Sequence, residues 1–380
     1  MREITIEEIR DLEQGSYQLV DIRDEGSAIY GMMPGAINIP ATWFEREPDA
    51  SREKLDESRK VILYCQRGEK SQDIADQLEE LGIDCYSLAG GFNAFLMDSV
   101  RNDNDEECRK KAEESLRKKF HKQIFAPFAR ACKTYELLQD GDRVAVCISG
   151  GKDSMLMAKL FQEIQRHRKV QFELTFLVMD PGYNRENRAL IERNAQKLGI
   201  PITVFESTIF DAVDNIEKNP CYLCARMRRG YLYSKAKELG CNKIALGHHY
   251  DDVIETILMG MLHGGQIQTM MPKLHSTNFE GMELIRPLYL IREEEICKWR
   301  DYNDLHFLQC ACHFTETCST CHEDGTTSSK RLETKKLIAR LKKDNPYIEG
   351  NIFKSVENVN LNTVVAYKKD GVRHHFLEEY

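Results

Sequence analysis

Residues 144–154 read Val-Ala-Val-Cys-Ile-Ser-Gly-Gly-Lys-Asp-Ser, a pattern typical of a buried strand, a glycine turn and the start of a helix. The two glycines let the backbone approach a phosphate closely, and the helix N-terminus adds a positive partial charge. Hydroxyl and ammonium groups for the same ligand come from Ser149, Ser154 and Lys152. The stretch does not fit G-x-x-x-x-G-K-S/T, so ordinary NTPase chemistry is not favoured. It predicts a phosphate-binding loop, with a purely structural turn as the alternative.

Strand-like and helix-like segments alternate after this loop, and the apolar strands look buried on both faces. The order of strand, then helix, favours a parallel, doubly wound α/β sheet. Ligands in such sheets bind at the carboxyl ends of the strands. We therefore expect the chemistry in the loops that follow Ile148, Met179 and Leu246. The further segments are strands at 172–179, 202–205 and 243–246 and helices at 186–198 and 225–239.

The chain has 380 residues, of which 42% are hydrophobic and 30% charged, and this composition predicts a soluble protein of two or three domains. The first residues contain no apolar signal-like segment, and no stretch approaches the roughly 18 apolar residues of a membrane span. We therefore expect a cytoplasmic protein with no membrane partner. Thirteen cysteines in such a chain indicate thiol chemistry or metal ligands rather than disulfides.

The charge of the chain changes near residue 100. Residues 1–100 hold 10 Lys and Arg against 21 Asp and Glu, whereas residues 101–380 hold 43 against 40. We expect a domain boundary at this point, with a charged linker or helix over 99–122. Before it, short strand-like and helix-like segments indicate a compact α/β unit.

A cysteine follows a strand-like run in this first unit, at the start of the loop 65–71. Such a loop aims backbone N–H groups and a helix N-terminus at the sulfur, which lowers the pKa of the thiol and favours an anion or a persulfide. Arg67 and Lys70 add positive charge. A lone cysteine at a strand end is more often simply buried, so the alternative is a structural role for Cys65.

Four motifs together resemble a single-domain rhodanese over residues 1–98. They are Asp21-Ile22-Arg23, the run 33–40, the loop 65–71 and the run 90–95. The resemblance implies a sulfur carrier in which Cys65 becomes a persulfide, loaded from thiosulfate or from a cysteine desulfurase persulfide. The loop that would hold the persulfide consists of Gln66, Arg67, Gly68, Glu69, Lys70 and Ser71.

The string Ser-Gly-Gly-Lys-Asp-Ser at 149–154 resembles the PP-loop of the ATP pyrophosphatases. Over roughly 110–365 the chain resembles the tRNA 2-thiocytidine synthetase family, which sulfurates a cytidine of the anticodon loop. The motifs that carry this resemblance are Cys221-x-x-Cys224, residues 225–230, residues 246–252, Gly264-Gly265, Arg286-Pro287-Leu288 and Cys310. It implies ATP, Mg2+ and tRNA as ligands, with Lys152 and Asp153 as catalytic residues. The implied ATP-binding residues are Ser149, Gly150, Gly151, Lys152, Asp153, Ser154, Gly247, His248 and Asp251.

Two cysteines at C-x-x-C spacing before a helix can hold one metal, and a distant third can complete an open coordination sphere. A structural zinc on Cys221, Cys224, Cys318 and Cys321 and a redox-active dithiol are alternatives, although the zinc gap is far longer than usual. The family resemblance implies a 4Fe-4S cluster on Cys221, Cys224 and one later cysteine. Cys310 is favoured as that ligand. An apparent insertion near 310–329 also carries Cys312, Cys318, Cys321 and His322, which suit a small zinc site.

The sequence thus predicts two α/β domains: a rhodanese-like sulfur carrier over 1–98 and a doubly wound PP-loop domain over 123–380. The predicted activity is ATP-dependent thiolation of a tRNA base with sulfur from the fused carrier. Two alternatives stay open, namely thiolation of another nucleoside or a small molecule, and a redox-sensing protein without turnover. The third cluster ligand, the physiological sulfur donor and a homodimer are also left open.

Overall fold

A computed structural model describes residues 2–13, 15–46, 48–101, 104–207, 220–308 and 330–378, with only the backbone at 30, 100–101 and 220–226. The chain divides into two compact units. One comprises Met1–His249 and Pro272–Thr326, and the other Tyr250–Met271 and Thr327–Tyr380. Within the described residues, no helix has both the length and the apolar composition needed to cross a membrane.

Five short strands form the first sheet. They are β1 (Glu3–Ile4), β2 (Tyr17–Asp21), β3 (Ile37–Asn38), β4 (Lys60–Tyr64) and β5 (Cys85–Leu88). The helices around them are Ile6–Arg10, Glu25–Tyr30, Ala41–Arg46, Pro48–Arg52, Glu69–Glu80 and Gly91–Arg101. The sheet is parallel throughout, in the order β1-β5-β4-β2-β3. Its central strand β4 is apolar on both faces, which explains the continuous hydrophobic run 61–64.

Six strands form the second sheet. They are β6 (Asp142–Ile148), β7 (Phe172–Asp180), β8 (Ile202–Glu206), β9 (Lys243–Ala245), β10 (Lys273–His275) and β11 (Glu283–Ile285). The helices of this region are Asp105–Arg117, Ala126–Thr134, Lys152–Arg166, Arg185–Leu198, Pro220–Glu238 and Glu293–Tyr302, with a π-helical turn at His121–Phe125.

The second sheet has the order β10-β11-β9-β6-β7-β8, parallel except for β10. Alternate residues of β6 pack into two different cores: Val144 and Val146 on one face, Ala145 and Cys147 on the other. Helices therefore cover both faces, which confirms the predicted doubly wound α/β fold. The chain runs outward from β6 to β7 and returns to β9 on the other side of β6. This reversal creates a switch point at the carboxyl ends of β6 and β9, where such folds bind ligands.

The helix before β9 begins earlier than the sequence suggests. It starts at Pro220 rather than near Ala225, so the backbone at 221 and 224 belongs to the helix itself. A proline fits the first turn of a helix because its missing N–H has no partner there in any case. Positions 221 and 224 are three residues apart and lie on the same side of the helix.

One hydrophobic core joins the rhodanese-like region to the second sheet. Phe92 and Leu96, on the helix Gly91–Arg101, belong to the same buried cluster as Leu116 and Leu156. A ring contact adds to it, because Phe95 meets His306 edge-on with centroids 5.1 Å apart. The two sheets are thus packed into one unit rather than joined by a loose linker.

The second compact unit is mostly helical and ends in a small hairpin. Its helices are Tyr250–Gly264, Lys330–Asp344 and Ile348–Ser355, with 3-10 turns at Leu361–Thr363 and Phe376–Glu378, and its strands are β12 (Ala366–Lys369) and β13 (Val372–His375). Within it, the rings of Tyr250 and Phe353 stack with centroids 4.4 Å apart.

Candidate functional site

The thiol of Cys65 lies in a cradle of donors at the carboxyl end of β4. The backbone N–H of Gly68 donates to its Sγ over 3.1 Å, and Oγ of Ser71 contacts the same sulfur at 3.5 Å. Ser71 is held in turn by Ser87, with the hydroxyl oxygens 2.8 Å apart. Gly68 has φ +98°, and a Cβ there would meet the backbone of Gly90 at 3.0 Å. Only glycine lets this loop close tightly around the sulfur.

An arginine from the neighbouring strand end supports the cradle. Arg23 is buried, forms an ion pair with Asp21 at 2.6 Å and lies over the ring of Phe92, 3.8 Å from its centroid. It also donates to Oε1 of Gln66 over 3.4 Å. Nε2 of Gln66 then donates to Oδ1 of Asn93 over 2.7 Å. The motif 21–23 therefore positions the loop rather than lining it.

The other residues of the loop are charged. Glu69 begins the helix Glu69–Glu80, so the N-terminus of that helix lies directly beyond the cradle. Lys70 is exposed and pairs with Glu45 at 3.4 Å. The side chain of Arg67 is half-buried. Together they give the rim of the cradle a mixed charge with two cations.

The phosphate loop at 149–154 closes on itself through its serines. The N–H of Ser149 donates to Oγ of Ser154 over 3.2 Å, and that hydroxyl donates to the carbonyl of Gly151 over 2.9 Å. Gly150 has φ +86°, and a Cβ there would lie 2.5 Å from the side chain of Ile191. The loop is therefore preformed, with a helix N-terminus at Lys152.

Lys152 and Asp153 form a charged pair beside this loop. Nζ of Lys152 lies 3.1 Å from both Oδ2 of Asp153 and Oε1 of Glu293. Burial alone would lower the pKa of Lys152, but the carboxylates of Asp153 and Glu293 outweigh it and raise the pKa above its usual value. The lysine is therefore an ammonium at neutral pH, although only 7% of the residue is exposed.

The loop after β9 meets the phosphate loop, as expected at the switch point. A Cβ on Gly247 would lie 3.3 Å from the amide nitrogen of Ser154. His248 lies in the same loop, and Nε2 of the next residue, His249, is 3.9 Å from Oδ1 of Asp153. Asp251 lies on the helix Tyr250–Gly264, in the other compact unit.

Hydrogen bonds also hold the loop that follows β7 in a fixed conformation. Oδ1 of Asp180 accepts from the N–H groups of Gly182 and Tyr183 over 2.9 and 2.7 Å, and Oδ2 pairs with Arg188 at 2.8 Å. Burial raises the pKa of Asp180, but these donors outweigh it and lower the pKa below its usual value. The hydroxyl of Tyr183 accepts from Arg228 over 3.0 Å.

The predicted cluster ligands cannot be placed in full. Cys221 and Cys224 lie on a described stretch of helix backbone without described side chains, and Cys310, Cys312, Cys318, Cys321 and His322 lie outside the described residues. The cysteines with described side chains carry free thiols, at Cys65, Cys85, Cys108, Cys132, Cys147, Cys241 and Cys297. Among the described residues, no group of three or more Cys, His, Asp or Glu could hold a metal ion.

Two protein-family models match the chain. The model described as a PP-loop domain matches residues 116–312, and the model of the rhodanese-like domain matches residues 7–98. The first match alone spans about half of the chain. Both matches agree with the two sheets described above.

Relatives named tRNA-cytidine(32) 2-sulfurtransferase extend the PP-loop match. The protein of Geobacter sulfurreducens is 33% identical over 243 residues, which is 63% of this chain and 90% of the relative. The chain belongs to this PP-loop sulfurtransferase family. The relative from Aliivibrio fischeri is 38% identical over 206 residues, 53% of this chain and 66% of the relative. Among solved structures, the U34-tRNA thiolase NcsA from Methanococcus maripaludis with its 4Fe-4S cluster is 23% identical with a TM-score of 0.48, over 61% of this chain and 76% of that chain.

Sequence reasoning did not name Glu293, which contacts Lys152, or Asp180, which is the last residue of β7. Glu293 is 141 positions from Lys152 and has no motif around it, so only the fold reveals the contact. Asp180 is the last residue of β7, and its position at the carboxyl end of a strand could have marked it as a candidate site residue. The family resemblance had assigned His249 together with His248 to the nucleotide site, and both lie in the loop at the switch point.

Proposed function

We propose that this chain is an ATP-dependent tRNA sulfurtransferase that converts a cytidine of the anticodon loop into 2-thiocytidine, with sulfur from the persulfide of its own rhodanese-like domain. The observation that carries the proposal is the preformed phosphate loop at the switch point of β6 and β9, in one compact unit with the thiol cradle. The relatives named tRNA-cytidine(32) 2-sulfurtransferase support the choice of substrate.

In the first step the chain activates the base with ATP. Backbone N–H groups at the start of the helix Lys152–Arg166 and the ammonium of Lys152 bind phosphate oxygens. The C2 oxygen of the cytidine attacks the α-phosphorus, and pyrophosphate leaves. In the second step a sulfide equivalent attacks C2 and the oxygen departs with AMP, so the products are thionucleoside, AMP and pyrophosphate.

Asp153 suits a magnesium ion at the phosphates. Among the described residues, Oδ1 of Asp153 is buried and has no hydrogen-bond partner, whereas its Oδ2 accepts a hydrogen bond from Lys152. A carboxylate oxygen is the donor that Mg2+ prefers, and a bound Mg2+ would neutralise phosphate charge during the attack. Asp153 would thus hold the ion while Lys152 contacts the leaving phosphates.

Cys221, Cys224 and Cys310 would hold a 4Fe-4S cluster. Thiolates are the donors that such clusters use, and the backbone positions 221 and 224 lie on one side of a helix. A cluster with three protein ligands supplies one open iron for sulfide.

Cys65 would load sulfur from thiosulfate. Its thiolate attacks the outer sulfur, the S–S bond of thiosulfate breaks, and sulfite leaves, which gives a persulfide without net oxidation. The donors on Gly68 and Ser71 hold the cysteine sulfur during this step. The outer sulfur must later gain two electrons to become sulfide, and two molecules of an external thiol reductant supply them as they are oxidised to a disulfide.

Mass spectrometry of tRNA nucleosides from a deletion strain tests the proposal. We expect 2-thiocytidine to be absent from the strain and restored by the wild-type gene, but not by Asp153→Asn. Loss of a different thionucleoside would favour another base as substrate. Unchanged nucleosides, together with no ATP consumption by the pure protein, would favour a redox sensor.

A further inference from the structure

The last part of the chain is basic and lies beyond both family-model matches, which end at residues 98 and 312. Residues 327–380 hold 11 Lys and Arg against 7 Asp and Glu, whereas residues 1–100 are strongly acidic. The basic elements described in this stretch are the helix Lys330–Asp344 and the hairpin of β12 and β13, both in the second compact unit. Neither belongs to the phosphate loop or to the thiol cradle.

The hairpin of β12 and β13 places two cations directly opposite each other. Its turn residues, Asp370 and Gly371, have φ of +53° and +80°, a geometry that joins two strands in a fixed register. Lys368 is therefore the cross-strand partner of Arg373, and both are exposed. In the described part of the chain, no carboxylate pairs with either side chain. Like charges at directly opposed positions repel each other, so this pair lowers the stability of the hairpin.

The acidic residue that follows the hairpin is engaged by histidines. Nδ1 of His374 lies 3.3 Å from Oε2 of Glu378, and the N–H of His375 donates to Oε1 over 3.0 Å. On the face opposite to Lys368, the rings of Tyr367 and His374 stack with centroids 5.0 Å apart. The cation pair and the ring stack thus occupy opposite faces of the hairpin.

The helix Lys330–Asp344 carries a second row of cations. It holds seven Lys and Arg against two Asp and Glu. Ile338 is buried, whereas Lys336, Arg340 and Lys343 are exposed. These three residues have the spacing i, i+4, i+7 and therefore share the side of the helix that faces away from Ile338. One side of the helix thus packs, and the other carries positive charge.

We propose that the hairpin of β12 and β13 binds the sugar-phosphate backbone of the RNA substrate, with the exposed side of the helix Lys330–Asp344 as a further cationic surface of the same unit. The inference rests on the proposed function and adds where its RNA partner docks. A phosphate between Lys368 and Arg373 replaces their repulsion by charge-assisted hydrogen bonds. A row of cations suits the regularly spaced phosphates of a nucleic acid, and such contacts bind the backbone without reading the bases.

Binding of unmodified tRNA to the whole chain at several salt concentrations tests the proposal. The double variant Lys368→Gln/Arg373→Gln should raise the Kd at least about tenfold, because two charge-assisted contacts are lost. The slope of log Kd against log salt should become shallower by roughly 1 for each cation removed. Lys110→Gln/Lys118→Gln is the matched control, since it removes two exposed lysines of the other compact unit that already pair with carboxylates. We expect the control to bind tRNA like the wild type.

A charge-conserving variant separates the loss of charge from damage to the hairpin. Lys368→Arg/Arg373→Lys should keep the wild-type Kd within about threefold. In the thiolation assay, the neutral double variant should have a higher KM for tRNA and an unchanged kcat, because backbone contacts act on binding rather than on the chemical step.

Three results would overturn the proposal. They are a wild-type Kd and salt slope in Lys368→Gln/Arg373→Gln, an equal loss of affinity in the lysine control, and binding of the wild type to anionic phospholipid vesicles but not to tRNA. A wild-type chain that binds tRNA through the hairpin but thiolates no base would contradict the proposed function instead.

Discussion

The amide of Phe92 donates a hydrogen bond to the carbonyl oxygen of Cys65 over 2.9 Å, so the helix Gly91–Arg101 and the thiol loop are locked together. Gly91, the residue before Phe92, leaves no room for a side chain beside this hydrogen bond. Gly91 has φ +58°, and a Cβ on it would lie 2.5 Å from that same carbonyl oxygen and 2.6 Å from the amide nitrogen of Gly68.

Gly91→Ala should therefore displace the loop and slow persulfide formation on Cys65 at least about tenfold, because the clash is with backbone that cannot rotate away. Rates of thiosulfate:cyanide sulfurtransfer measure the effect. Gly82→Ala is the matched control, since Gly82 has φ +84° but no described atom lies within 4 Å of an added Cβ. We expect Gly82→Ala to lower the stability by about 1 kcal/mol and to leave the rate of sulfurtransfer unchanged. Equal rates in the two variants would contradict the clash.

Substitutions of Cys65 and Arg67 should affect two different steps, namely persulfide formation and binding of the sulfur donor. Intact mass after thiosulfate should rise by one sulfur in the wild type and not in Cys65→Ala. Arg67→Ala should raise the KM for thiosulfate about tenfold or more, because a charge-assisted contact is worth roughly 1.5–3 kcal/mol. Arg59→Ala, an exposed arginine paired with Asp56, is the control. Full sulfurtransfer activity in Cys65→Ala would rule out this cysteine as the carrier.

The cluster assignment predicts a colour and a stoichiometry. Anaerobically purified protein should be brown, with about four irons and four acid-labile sulfides per chain. Cys221→Ala, Cys224→Ala and Cys310→Ala should each bleach it, whereas Cys318→Ala and Cys321→Ala should not. Colour retained in Cys310→Ala would move the third ligand to Cys312, Cys318 or Cys321. A colourless chain with one tightly bound zinc would contradict the cluster.

Glu113 should make the stability of the chain depend on pH. Burial raises its pKa, but the hydrogen bonds from Arg166 and Lys159 outweigh burial and lower the pKa from 4.5 to about 2. The folded-state pKa lies below the unfolded one, so the stabilisation is present above pH 4.5 and is lost as the pH falls through about 2.

Urea unfolding at several pH values measures this effect. Between pH 5 and pH 2.5 the wild type should lose roughly 2 kcal/mol more stability than Glu113→Gln, whose side chain does not titrate. Glu107→Gln, an exposed residue on the same helix, should follow the wild-type profile. Parallel profiles for the wild type and Glu113→Gln would contradict the assignment.

Much of the fold could be predicted from local sequence. The continuous apolar run 144–148 predicts a buried strand. The glycines at 150–151 predict a tight turn, because glycine readily adopts a positive φ. The short strands β10 and β11 were not predicted, since three-residue strands leave almost no periodic signal. The helix start at Pro220 was missed because the cysteine pair obscures its apolar pattern.

The candidate site was less accessible to sequence reasoning than the fold. The loops at 65–71 and 149–154 were found because their residues are contiguous. The pairing of Lys152 with Glu293 joins residues 141 positions apart in the chain. Such contacts form only when distant segments of the chain pack together, and no local pattern encodes them.

The most direct test of the central claim is the stoichiometry of a reconstituted reaction. Unmodified tRNA, ATP and thiosulfate, with a thiol reductant, should give 2-thiocytidine and AMP in a ratio of about one to one, with pyrophosphate and no ADP. Lys152→Ala and Asp153→Ala should abolish both products. ADP as the main nucleotide product, or AMP without any thionucleoside, would contradict the account.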